Sequence, residues 1–102
     1  MKVKYSVSNS RLNIYYFGEL DECTSQVVKK STDDILLKNS GVSEVVFNLS
    51  NLTFMDSTGI GMLLGRYKKI VSMGKRAFVE NPTPTVDKVF QISGMYKVMP
   101  KI

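Results

Sequence analysis

The chain has 102 residues, of which 43% are hydrophobic and 23% charged, so it suffices for a single domain over residues 1–102 with a packed core but not for two. Its one cysteine, Cys23, and its lack of histidine exclude an intrachain disulfide, a zinc site with cysteine ligands and nucleophilic catalysis assisted by histidine, and we expect no metal or cofactor. The net charge of +5 comes from scattered basic residues whose densest clusters are pairs such as Lys29-Lys30, which predicts a solvated basic surface and no direct DNA binding.

The first half of the chain predicts a hairpin, a helix and a buried strand. Residues 2–8 and 12–17 show a period of two in their side chains, and the turn signal Asn9-Ser10 lies between them, so we expect a β-hairpin whose second strand ends at Gly18. Residues 24–38 carry apolar side chains at helical spacing. The β-branched and aromatic run at 45–49 is typical of a central strand that is buried on both faces.

The second half predicts two more helices and two short strands. Residues 50–56 are expected to form a loop, and residues 58–72 form the most regular helical pattern of the chain. A short strand is predicted at 77–79, and a helix with proline at its first position at 84–93. Residues 96–99 predict a last short strand. The resulting order, β-β-α-β-α-β-α-β, predicts an α/β domain with a mixed β-sheet and helices packed on it.

The sequence carries no recognisable targeting pattern. No apolar secretory segment follows Met1-Lys2, and no apolar run approaches the roughly 18 residues of a transmembrane helix. These observations predict a cytoplasmic protein with no membrane association.

The stretch from Asp56 to Gly61 is the part of the sequence best suited to carry chemistry. It follows a predicted strand and loop and opens the predicted helix, so Asp56 fits the N-terminal cap and Ser57 lies at the helix N-terminus. Unpaired backbone N–H groups and the helix dipole favour negative charge at this end. The pattern is compatible with a simple well-capped helix and with a serine that accepts a phosphate.

Three glycines accompany Ser57 on the predicted helix. Gly59 and Gly61 fall in its first turn, where each costs up to about 1 kcal/mol relative to alanine. Gly65 continues the i, i+4 series that runs from Ser57 through Gly61. Such a smooth stripe is a candidate docking surface for a partner helix. Close packing against a neighbouring element of the same domain explains the glycines equally well, and both alternatives stay open.

Three classes of function are compatible with these residues, and an enzyme is not among them. The carboxylate of Asp56 is the only base beside Ser57 and is too weak to activate a serine nucleophile. A protein-binding regulator that is switched at Ser57 is the leading hypothesis. The alternatives are a phosphate- or nucleotide-binding module that uses Arg66, Lys68 and Lys69, and a subunit of a larger stress-sensing scaffold.

Several motifs in a fixed order resemble one protein family. The sequence is similar, from Lys2 to Ile102, to STAS domains of the anti-sigma factor antagonist class, and most of all to those that control sporulation. The segments that carry the resemblance are Gly18-Glu19-Leu20-Asp21, Val46-Phe47-Asn48-Leu49, Phe54 to Gly61, Leu64-Gly65-Arg66-Tyr67-Lys68 and Val89 to Lys97. Members of this type usually continue for another helix, so we expect a STAS domain that lacks a C-terminal helix within residues 1–102.

The resemblance implies a phosphorylation switch. In this class the unphosphorylated domain binds an anti-sigma factor that is also a serine kinase, which frees the sigma factor. The kinase phosphorylates the serine after the motif aspartate, here Ser57, and a serine phosphatase removes the phosphate. The resemblance implies a phosphosite environment of Asp56, Thr58, Gly59 and Gly61, in which Thr58 is the less favoured acceptor, and a partner-binding set of Gly18, Glu19, Asp21 and Gly65.

Overall fold

A computed structural model describes all residues from Met1 to Ile102. Five strands and three α-helices follow one another in the order β1 (Lys2–Ser8), β2 (Arg11–Leu20), α1 (Ser25–Lys38), β3 (Glu44–Asn48), β4 (Leu52–Met55), α2 (Ser57–Ser72), β5 (Arg76–Glu80) and α3 (Pro84–Ser93). A 3-10 turn at Met95–Lys97 follows α3. None of the three helices has both the length and the apolar character needed to cross a membrane.

The strands form one mixed sheet with the order β1-β2-β3-β5. β1 and β2 form the predicted antiparallel hairpin, and the turn residues Asn9 and Ser10 have the positive φ values, 50° and 64°, of a tight hairpin turn. β2 pairs in parallel with β3, and β3 pairs in parallel with β5. The predicted α/β fold with a mixed sheet is therefore confirmed.

The prediction of a loop over residues 50–56 is wrong for residues 52–55, which form β4. This strand pairs in parallel with the C-terminal end of β2, beyond a register shift between Gly18 and Glu19. Gly18 adopts φ +113°, its N–H donates to the Asn51 carbonyl at 3.1 Å, and its carbonyl accepts from the Thr53 hydroxyl at 3.1 Å. The sequence around β4 does not predict this strand. The edge of β2 with which it pairs is created by the bulge at Gly18, which is distant from β4 in sequence.

The predicted strand over residues 96–99 is also wrong. The chain turns at Gly94, with φ +76°, and Met95 and Met99 both point into the core at the i, i+4 spacing of a helical turn. The Met99 N–H donates to the Met95 carbonyl at 2.8 Å. Extended pairing occurs slightly later, where Lys101 forms a single parallel bridge with Val79 of β5.

One hydrophobic core lies between the helices and one face of the sheet. Leu12, Ile14 and Tyr16 of β2 are fully buried on that face, whereas the intervening residues of the strand are only half-buried. The Tyr16 hydroxyl lies 2.7 Å from the hydroxyl of Thr32 on α1, and both groups are buried. Burial raises the pKa of Tyr16 well above its usual range. The two hydroxyls therefore form an uncharged hydrogen bond that links the sheet to α1.

A polar cluster fastens the C-terminal residues to α3. The carboxylate of Asp87 accepts hydrogen bonds from the Tyr96 hydroxyl, from Gln91 at 2.8 Å and from the Lys101 ammonium at 3.0 Å. The Tyr96 hydrogen bond, followed by that from Lys101, holds the pKa of Asp87 below its usual range. Partial burial, with the hydrogen bond to Asp87, raises the pKa of Tyr96.

Candidate binding surface at the start of α2

Asp56 caps α2, as the sequence predicts. Its backbone is extended, with φ −113° and ψ −173°, and its Oδ1 accepts a hydrogen bond from the Gly59 N–H at 3.0 Å. Its own N–H donates to the Leu20 carbonyl at 3.3 Å. The side chain of Asp56 is therefore engaged with the helix backbone instead of the Ser57 hydroxyl.

Ser57 is the first residue of α2 and is exposed, as is Thr58. The first N–H groups of a helix have no intrahelical partner. Asp56 satisfies that of Gly59, which leaves the N–H groups of Ser57 and Thr58 for solvent or a bound group. The position combines an accessible hydroxyl with the positive end of a 16-residue helix.

The structure separates the two explanations for the glycines. A Cβ atom on Gly59 would lie 2.7 Å from the Leu20 carbonyl oxygen and 3.0 Å from the Cγ atoms of Leu20 and Met55. Close packing within the domain therefore explains Gly59. By contrast, nothing lies within 4 Å of the position of a Cβ atom on Gly61 or Gly65, so these two glycines face open surface.

Two grooves flank the first turns of α2. The predicted stripe of Ser57, Gly61 and Gly65 does not lie in one of them but is shared by both. Gly61 and Gly65 line the groove between α1 and α2, which has a volume of about 360 Å³. Ser57 lines the second groove, between α2 and α3, which has a volume of about 290 Å³. The serine and the open glycines therefore belong to adjacent surfaces of α2.

Residues from α1 and α3 complete these grooves and are not among the site residues predicted from the sequence. Gln26 and Lys29 of α1 form the far wall of the first groove. Val89 and Ile92 of α3 form the far wall of the second. One signal for Ile92 was present, because it lies about 200° around the helix from the buried Phe90 at 3.6 residues per turn, which places an apolar side chain away from the core.

The end of β2 lies beside the start of α2. The parallel register pairs Glu19 with Phe54 and Leu20 with Met55, so Asp21 follows β2 at the same edge of the sheet at which Ser57 follows β4. Glu19 is exposed. The carboxylate of Asp21 accepts from the N–H groups at positions 23 and 24, at 2.9 and 3.1 Å, which orders the turn before α1.

The predicted partner-binding residues consequently differ in their structural roles. Gly18 forms the bulge that redirects β2 to β4, and Asp21 orders a turn. Glu19 and Gly65 have no comparable structural task, since the Glu19 side chain makes no hydrogen bond or ion pair within the chain and Gly65 faces open space. Of the four predicted partner-binding residues, these two are free to contact another molecule, as is the exposed Ser57, the predicted phosphorylation site.

The basic residues of α2 are largely engaged within the domain. Arg66 is buried, and its Nε lies 3.0 Å from Oδ1 of Asp33 on α1, while the Lys69 ammonium lies 3.4 Å from the same oxygen. The Arg66 contact is an ion pair whose angle is too poor for a hydrogen bond. This cluster ties α1 to α2, which argues against a phosphate site built on Arg66 and Lys69. No group of three or more acidic, cysteine or histidine residues is close enough to hold a metal ion.

Comparison with known proteins identifies the family. The model of the STAS domain matches residues 2–102. The chain belongs to the STAS domain family. Among STAS proteins, the anti-sigma F factor antagonist of Paenibacillus polymyxa is 40% identical over 83 residues, which cover 81% of this chain and 70% of that protein. The anti-sigma F factor antagonist of Lysinibacillus sphaericus is 35% identical over 89 residues, which cover 87% of this chain and 75% of that protein.

Solved STAS structures agree with this assignment. The anti-sigma factor antagonist SpoIIAA in its unphosphorylated form superposes with a TM-score of 0.79 and 31% identity, over 99% of this chain and 88% of that chain. The Bacillus protein SpoIIAA in its phosphorylated form superposes with a TM-score of 0.71 and 30% identity, over 99% of this chain and 91% of that chain. The assignment to STAS domains of the anti-sigma factor antagonist class is confirmed, and the phosphate-binding alternative is not favoured.

Proposed function

We propose that this STAS domain relieves the inhibition of a sigma factor. Its unphosphorylated form binds an anti-sigma factor and displaces the sigma factor, and phosphorylation of Ser57 prevents that binding. The observation that carries the proposal is the placement of an exposed Ser57 at the N-terminus of α2, next to the end of β2. The relatives that are named anti-sigma F factor antagonists support the same role.

The proposed partners are a kinase and a phosphatase. The anti-sigma factor is itself the serine kinase that modifies Ser57, and a serine phosphatase restores the active form in the cytoplasm. The domain is the substrate and not a catalyst, because the neighbouring Asp56 carboxylate is engaged with the Gly59 N–H and no other base adjoins the hydroxyl. An acidic residue of the kinase supplies the base for phosphoryl transfer.

Phosphorylation at this position changes binding more than folding. A phosphate adds about −1.5 to −2 charges and three acceptor oxygens, and the exposed N-terminus of α2 accommodates such a charge. In a docked complex, however, the same group must lose its water without a matching partner, which costs several kcal/mol. Since each 1.4 kcal/mol changes affinity tenfold, a cost of about 2.8 kcal/mol weakens binding about 100-fold.

The site of phosphorylation is the first test. The protein is incubated with ATP and the anti-sigma kinase of the same genome, and modified peptides are mapped by mass spectrometry. We expect one phosphate, on Ser57. The matched control is Ser57→Ala, which retains the adjacent exposed Thr58 and should accept no phosphate. Phosphate on Thr58 in the wild-type protein, or no phosphate at all, would contradict the proposal.

A further inference from the structure

The groove between α2 and α3 is lined mostly by apolar side chains, and one of them is very exposed. Ile92 is 78% exposed, which is the highest value among the large apolar side chains of the chain. It forms one wall of the groove together with the half-buried Val89, and the half-buried Ile60 of α2 and the almost fully buried Met55 of β4 lie on the other side. Apolar side chains that gather in an open groove, instead of being scattered singly, form a candidate site of interaction with another molecule.

The groove remains between the helices because α3 packs mainly on β4 and only sparsely against α2. Val86 and Phe90 anchor α3 in the core, and the helix packs on β4. The opposite side of α3, which bears Ile92, faces away from that contact. Space therefore remains between this side and the first turn of α2, and Ser57 lies on its wall.

The residues that line the groove indicate which kind of group it can bind. Asp56 is the only charged residue that lines the groove, and its carboxylate is turned toward the Gly59 N–H. No cation is present to bind an anion. The volume of about 290 Å³ lies at the lower limit of small-molecule sites, which span roughly 300–1,000 Å³. The groove is therefore suited to a single large apolar side chain of a protein partner.

We infer that this groove receives an apolar side chain of the anti-sigma factor, so that α3 forms part of the binding surface. The inference rests on the proposed function, because the groove shares Ser57 with the proposed switch. It also gives the switch a physical basis. A phosphate on Ser57 places a double charge on the wall of an apolar groove, where an inserted apolar side chain cannot solvate it.

Substitution of Ile92 tests the inference. We expect Ile92→Ser to weaken binding to the unphosphorylated protein at least tenfold in calorimetric titration with the anti-sigma factor of the same genome, and Ile92→Leu to retain most of the affinity. Buried apolar anchors dominate the energetics of interfaces. The matched control is Leu37→Ser, because Leu37 is 65% exposed on α1 and lines neither groove. Its affinity should equal that of the wild type.

The possible outcomes distinguish the groove from the proposed function. Equal affinity of Ile92→Ser and the wild type would overturn the role of the groove and leave the proposed function standing. Equal weakening by Ile92→Ser and Leu37→Ser would also overturn it, since the loss would not be specific to α3. Absence of binding by the wild-type protein would overturn both. Thermal denaturation of each variant verifies that the exposed substitutions leave the fold intact.

Discussion

Replacing Gly59 with alanine is expected to lower the free energy of unfolding by about 1–3 kcal/mol. The added Cβ would lie 2.7 Å from the Leu20 carbonyl oxygen, which is backbone and cannot rotate away, and 3.0 Å from two side-chain carbons. Relief of this overlap requires α2 to move away from β2 and β4. Each kcal/mol corresponds to a decrease of about 4–8 °C in Tm for a domain of this size, so thermal denaturation detects the effect readily.

The same helix provides the control for this prediction. Gly61→Ala adds the same methyl group two residues later, where nothing lies within 4 Å. Alanine is preferred over glycine inside a helix by about 1 kcal/mol, so this variant should be at least as stable as the wild type. If both substitutions had equal effects on Tm, the close approach of Gly59 to the end of β2 would not be the cause.

Ser57→Asp is expected to weaken binding to the anti-sigma factor at least tenfold, and phosphorylation of Ser57 about 100-fold. The aspartate introduces one charge and the phosphate about two, and each has to be desolvated beside the apolar groove. A factor of 100 corresponds to about 2.8 kcal/mol. Calorimetric titration of the unphosphorylated, phosphorylated and Ser57→Asp proteins measures the series.

Ser57→Ala completes this comparison because it removes the hydroxyl without adding charge. Its affinity should remain close to that of the wild type, and the free energies of unfolding of all forms should agree within about 0.5 kcal/mol, since Ser57 is exposed. A loss of affinity in Ser57→Ala as large as in Ser57→Asp would show that the hydroxyl itself is needed and that charge is not the switch. If the phosphorylated protein unfolded, the proposal would be wrong, because phosphorylation would then act by lowering the stability of the fold and not by weakening the binding of a folded protein.

The parts of the fold that local sequence patterns determine were predicted well. The hairpin followed from alternation around Asn9-Ser10, and α2 followed from helical spacing behind the Asp56 cap. β4 was not predictable in this way, because its burial pattern is not alternating and its pairing depends on the bulge at Gly18. The 3-10 turn near Met95 was mistaken for a strand because three or four residues are too few to distinguish the two periods.

The site, like the fold, was predicted only where it depends on local sequence. The positions of Asp56 and Ser57 at the start of α2 are local properties and could be read from the sequence. Whether Gly59 faces another element or open solvent depends on Leu20, which lies 39 positions earlier in the chain. The contribution of Ile92 depends on how α3 packs on β4. Both are tertiary contacts between distant segments, and a single sequence contains no direct signal for them.

The central claim is that this protein frees a sigma factor only while Ser57 is unphosphorylated. It is tested most directly by transcription from a sigma-dependent promoter in a mixture of RNA polymerase, the sigma factor and a catalytically inactive variant of its anti-sigma kinase, so that the ATP that transcription consumes does not lead to phosphorylation of Ser57. We expect the unphosphorylated protein to restore transcription and the Ser57-phosphorylated protein to leave it inhibited. Equal restoration by both forms, or restoration by neither, would contradict the account.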